Sequence, residues 1–145
     1  MKLQMGVVWC GLLMIAFPGG AYAGPGHSHG HAADGAGQHD ETLHSMSKKQ
    51  LLDKLLTVMG QIEAAVSARD AAALHDLTGV LPHVATHLAE KAEGALRVRA
   101  EGSARNISAL ADKLHAESDK GDFEAAASTS KKLSGMVDYF KVQLG

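Results

Sequence analysis

Leu52, Leu55, Met59, Ile62 and Val66 are separated by 3, 4, 3 and 4 residues, and Leu74, Leu77, Leu81, Val84 and Leu88 repeat that spacing. Apolar residues at this interval fall on one stripe of an α-helix and on no face of a strand. Ile107, Leu110 and Leu114 continue the theme, as do Leu133, Met136, Val137, Phe140 and Leu144. The spacing predicts four helices, over about Ser47–Ala68, Asp70–Ala92, Leu96–Lys120 and Asp122–Leu144. A narrow 3-4 stripe suits nearly parallel or antiparallel helix packing. No segment shows sustained period-2 alternation or a β-branched cluster, so no strand is expected. The fold class expected is all-α: an antiparallel four-helix bundle built from two helical hairpins.

A weak repeat offset by 52 residues supports the hairpins. Asp70 falls on Asp122, Leu81 on Leu133, Val84 on Met136 and Leu88 on Phe140; Leu55 falls on Ile107 and Ile62 on Leu114. Each half reads as helix, tight turn at (Arg/Gly)-Asp, helix. Asp70 and Asp122 are expected N-caps, as is Ser47 for the first helix. A longer link is expected near Gly94–Gly102. Pro82, inside the second helix, removes one backbone hydrogen bond and is expected to kink it.

The residues before Ser47 have a different character. Met1–Lys2, the mostly apolar Gly6–Phe17 and Ala21-Tyr22-Ala23 have the order of an export signal: positive start, apolar stretch, small-x-small cleavage site. The chain is expected to divide into a signal peptide (1–23), a disordered His-rich tail (24–46) and the bundle (47–145). About 122 of the 145 residues follow the cleavage site, enough for one modest core. Loss of Lys2 takes the formal charge from −2 to about −3, with both signs interspersed. That excludes a basic field for nucleic acid or an anionic membrane. The apolar stretch is too short to span a bilayer, so no membrane insertion is expected after cleavage. The single cysteine, Cys10, lies in the signal, too early and behind too bulky a Trp9 for a lipoprotein cysteine. The mature chain then has no disulfide, thiolate zinc site or Cys-x-x-Cys-His haem attachment.

Residues 24–46 hold five of the nine histidines: His27, His29, His31, His39 and His44. Such a segment has little to bury and is expected to be disordered without a ligand. Neutral imidazole is a good ligand for Zn, Ni, Co and Cu(II), and a flexible His-x-His-x-His run can place two or three nitrogens around one ion. Asp34, Asp40 and Glu41 can complete the shell. The bland reading is a solvated linker. Cleavage before Gly24 puts His27 at position four behind Pro25, so an amino-terminal square-planar copper site would need one residue trimmed.

On the second helix His83 and His87 stand four residues apart, expected on the side away from the leucine stripe with Asp76 and Glu90. Side chains at i and i+4 meet on a helix surface, so this face can bind one divalent ion or simply be solvated. Asp112, His115 and Asp119 make a similar, poorer stripe on the third helix. His75 is assigned no role. Met59 and Met136 read as core filler rather than copper(I) ligands. Arg97, Arg99 and Arg105 read as a solvated face, the alternative being a dock for an acidic partner. Enzyme chemistry finds no support: there is no Gly-x-Ser-x-Gly elbow, phosphate loop or His-Glu-x-x-His. With every bundle histidine expected off the core, no haem is expected.

The His27–His31 run, the segment Leu74–Glu93 (LHDLTGVLPHVATHLAEKAE) and the segment Ile107–Phe123 (ISALADKLHAESDKGDF) resemble small exported bacterial proteins of heavy-metal efflux and resistance systems. These pair a His-rich tail with a helical bundle, and the resemblance runs over about residues 48–143. It implies a periplasmic role in metal handling and carries over no catalytic residue. The expectation is a periplasmic accessory protein, monomer or homodimer, that buffers or delivers Zn, Ni, Co or Cu to an efflux pump component or sensor. Its candidate ligands are His27, His29, His31, His39, His44, His83 and His87. The rival expectation is a metal-independent protein–protein interaction module with the tail as spacer.

Overall fold

A computed structural model describes residues 41–145. The expected signal peptide and most of the tail, with His27, His29, His31 and His39, lie outside the described residues. Among the described residues all regular structure is helical: α1 (Lys48–Ala68), α2 (Ala71–Glu90), α3 (Gly94–Asp119) and α4 (Phe123–Leu144). The all-α expectation holds. Each helix packs on the next and α1 also packs on α4, closing a ring around one core. Neighbours run in opposite directions. The Ser103 hydroxyl, early in α3, donates to Gln143 Oε1 near the end of α4 (2.9 Å). The Lys48 ammonium, at the start of α1, donates to the Leu144 carbonyl at the end of α4.

The helix starts follow from local chemistry. Four backbone N–H groups at a helix start lack intrahelical acceptors, and short polar side chains supply them. Ser47 accepts from the Gln50 N–H while the Gln50 side chain accepts from the Ser47 N–H, a reciprocal capping box. Asp70 Oδ1 accepts from Ala73 N–H (3.0 Å) and Asp122 Oδ1 from Ala125 N–H (3.0 Å).

The two tight turns match bond for bond at the repeat offset. Arg69 takes a left-handed backbone (φ 55), its N–H donates to Val66 carbonyl, and Asp70 N–H donates to Ala65 carbonyl. Gly121 (φ 71) donates to Ser118 and Asp122 to Glu117 in the same way. This is the Schellman pattern, which consumes the last orphan carbonyls of the preceding helix. The equivalent pairs Leu55/Ile107, Ile62/Leu114, Leu81/Leu133 and Leu88/Phe140 are all fully buried. Val84 is fully buried, whereas its counterpart Met136 only packs against the core edge.

Three details depart from the sequence reading. Leu51 rather than Leu52 is fully buried, and Val58 and Ala65 join the α1 core face. Because α1 touches both α2 and α4, it needs a wider apolar face than a two-helix seam. The long link near Gly94–Gly102 is absent: residues 91–93 join α2 to α3, and α3 runs unbroken through Gly102. A glycine inside a helix costs about 1 kcal/mol, which burial of Ala100, Ala104 and Ile107 offsets. Helix α2 runs through Pro82 without a break, and the proline lies inside the helix as read. The missing N–H there leaves the Thr78 carbonyl without its helical partner.

The third departure concerns residues 41–46, expected to be tail. Residues 41–45 form a helical turn closed by Met46 N–H on the Leu43 carbonyl (3.1 Å). Leu43 is buried in the core, and Lys91 Nζ donates to the His44 carbonyl (2.9 Å). A single leucine in a polar stretch gives no periodicity to read, yet burying it removes a full side chain from water. No helix among the described residues is long and apolar enough to cross a membrane.

Candidate metal centre

Four of the five described histidines gather into two groups, one toward each end of α2. The first is His44, His87 and Glu90. The Leu43 anchor and the Lys91 bond bring His44 over the last turn of α2. His87 Nδ1 lies 3.1 Å from Glu90 Oε2, within hydrogen-bonding reach. The His44 and His87 rings stand edge to face with centroids 6.1 Å apart. One ligand atom from each of the three residues lies within 4.8 Å of the others. Their burial is graded, with His44 and Glu90 exposed and His87 only 8% exposed.

That burial corrects the sequence reading of His87 as a residue turned away from the core. The second-helix stripe Asp76, His83, His87, Glu90 is also divided: His87 and Glu90 converge with His44, while His83 and Asp76 belong to neither group. His83 is exposed and lines an open furrow between α2 and α3 together with Asp112 and Ser108. One end of the furrow reaches Thr78 and the other reaches His87 and Glu90.

The second group is His75, His115 and Asp119. It joins α2 to α3, because the antiparallel crossing sets the start of one beside the end of the other. The His75 and His115 rings lie 4.7 Å apart, tilted by 48°. His115 Nε2 is 3.3 Å from Asp119 Oδ2, one turn on, and the other ring nitrogen, Nδ1, is 3.3 Å from the Thr78 hydroxyl. His75, which the sequence left without a role, is thus the α2 member of a cross-helix cluster. Asp112, expected beside His115, instead lines the furrow. Periodicity on α2 and α3 taken singly cannot show which faces meet, so no sequence signal marked His75.

The donor types of these sets suit metal ligation. Imidazole nitrogen with carboxylate oxygen suits Zn and related divalent ions, with no thiolate to favour softer ones. Three protein ligands leave a fourth position open to water or an exchanging partner. Elsewhere on the described surface Arg97 pairs with Glu101 (3.0 Å) on α3, and Val98, Tyr139 and Val142 are exposed apolar side chains, a normal occurrence when they are scattered singly. Compared with known protein families, curated proteins and solved structures, the chain matches none.

Proposed function

We propose that the protein is an exported, periplasmic metal-binding accessory protein that buffers a divalent ion or hands it to an efflux component. In this reading an antiparallel bundle of two hairpins carries a flexible His-rich arm behind a cleaved signal. His27, His29, His31 and His39 capture the ion, and His44, His87 and Glu90 receive it. The observation that carries the reading is the convergence of His44, the last histidine of the His-rich stretch, with His87 and Glu90 on the folded unit. Zn is the first choice for a nitrogen/oxygen set, with Ni, Co and Cu(II) as competitors. No reaction is assigned.

The test is calorimetric titration of residues 24–145 with Zn, Ni, Co and Cu(II), beside a chain lacking residues 24–40. The deletion stops at 40 because Leu43 belongs to the core. The reading expects lower stoichiometry in the shortened chain and a remaining site that His87→Ala removes. Absence of binding in both chains would overturn it in favour of the interaction module.

A further inference from the structure

We infer that His75, His115 and Asp119 form a second divalent-metal site, built wholly on the bundle and independent of the His-rich arm. It goes beyond the proposed function, since it needs neither export nor capture by the tail.

The argument starts from hydrogen-bond polarity. The Thr78 hydroxyl donates to the Leu74 carbonyl at 2.7 Å. With that proton committed, its lone pairs face His115 Nδ1, 3.3 Å away, and the tautomer with N–H at Nδ1 is the one that satisfies the contact. A neutral imidazole protonated at Nδ1 carries its lone pair at Nε2. That nitrogen faces Asp119 Oδ2 at 3.3 Å. Two lone pairs at that separation repel, so the pair calls for a cation between them. A proton on Nε2 would suffice for the pair alone. The neighbouring His75 ring, 4.7 Å from His115, supplies a third donor that a simple ion pair does not use.

One separation matches a metal's ligand spacing, and the third ligand atom lies within 4.8 Å of both. Zn sits about 2.0–2.1 Å from imidazole nitrogen and carboxylate oxygen, so two ligands at the tetrahedral angle lie about 3.3–3.4 Å apart. The observed Nε2–Oδ2 separation is 3.3 Å. Thr78 supplies the outer hydrogen bond that fixes the tautomer of a ligating histidine. It does so from a buried position (4% exposed) and so holds the ring rigidly. The bound ion would tie α2 to α3 across the most extensive helix contact in the bundle.

The experiment is a Zn(II) titration of the whole chain, followed through the ring nitrogens of His75 and His115 by long-range proton–nitrogen NMR. His44→Ala/His87→Ala in the same chain silences the other group. The expected result is that His115 Nε2 and one His75 nitrogen shift together and saturate at the same zinc concentration. Asp119→Asn or His75→Ala abolishes the shift at His115. Thr78→Val weakens the site about 10–100-fold, as loss of an outer-shell partner does, while His83→Ala leaves it unchanged. Ring signals that stay fixed at excess Zn would overturn the site. So would a His115 shift that survives loss of His75 and Asp119, which would make His115 a lone ligand and not one member of a three-residue site.

Discussion

Zinc bound by sites that folding assembles must stabilise the fold, whereas zinc bound by flexible histidines need not. A ligand that binds native and unfolded chains equally shifts nothing; one that binds only the native chain adds RT ln(1 + [L]/Kd). At a zinc concentration about a hundred times Kd this is about 2.7 kcal/mol per site. The described unit of about 105 residues melts with an entropy of about 2.1 cal/mol/K per residue, or about 0.22 kcal/mol/K in all. Each occupied site should therefore raise Tm by about 12 °C. If losing one ligand of three weakens binding about a hundredfold, the residual is RT ln 2, about 0.4 kcal/mol or about 2 °C. His44→Ala should remove one increment and His115→Ala the other. His75 and His87, on opposite groups, are twelve residues apart on α2, about 18 Å along the axis, so the two losses should add. Calorimetric or circular-dichroism melts with and without zinc make the measurement. A zinc-induced rise that survives in the double variant, or that vanishes when only His27, His29 and His31 are replaced, would refute the reasoning.

Asp70→Ala and Asp122→Ala should each cost about 1 kcal/mol, the usual value of a lost N-cap. Urea melts of the singles and the double should show additivity, because the two turns sit in different hairpins. Arg69→Gly should raise stability by up to about 1 kcal/mol, since Arg69 holds the left-handed backbone that Gly121 adopts freely in the equivalent turn; a loss would show that the arginine side chain matters more than its φ. The zinc increment should depend on pH with a definite sign: ligation needs neutral imidazole and protons compete with the ion, so the increment should shrink as pH is lowered. Melts at pH 7.5 and 5.5 without zinc provide the control.

The helices and turns were legible because their causes are local. Three-four spacing, Asp at the caps and a repeat of 52 residues each act within a few residues of themselves, and the structure places them as read. Leu43 was not legible, because a lone apolar residue has no period and its burial is decided by a long-range partner. The same holds for His75. Its neighbour His115 is 40 residues away, and only the antiparallel crossing of α2 and α3 makes them adjacent. His87 was misjudged for a related reason: a helix wheel measures angle from one stripe, but the turn at 41–45 covers a second side of α2.

The anchored turn also sets a length scale. His39 is five residues from His44, so the chain between them reaches at most about 17 Å when fully extended. With Leu43 held in the core, any ion on His39 stays within that radius of the last turn of α2. For groups tethered so closely the effective concentration is millimolar or above. Transfer of an ion from His39 to His87 and Glu90 would then be an intramolecular exchange of ligands, its rate governed by breaking bonds to the ion and unaffected by how dilute the protein is.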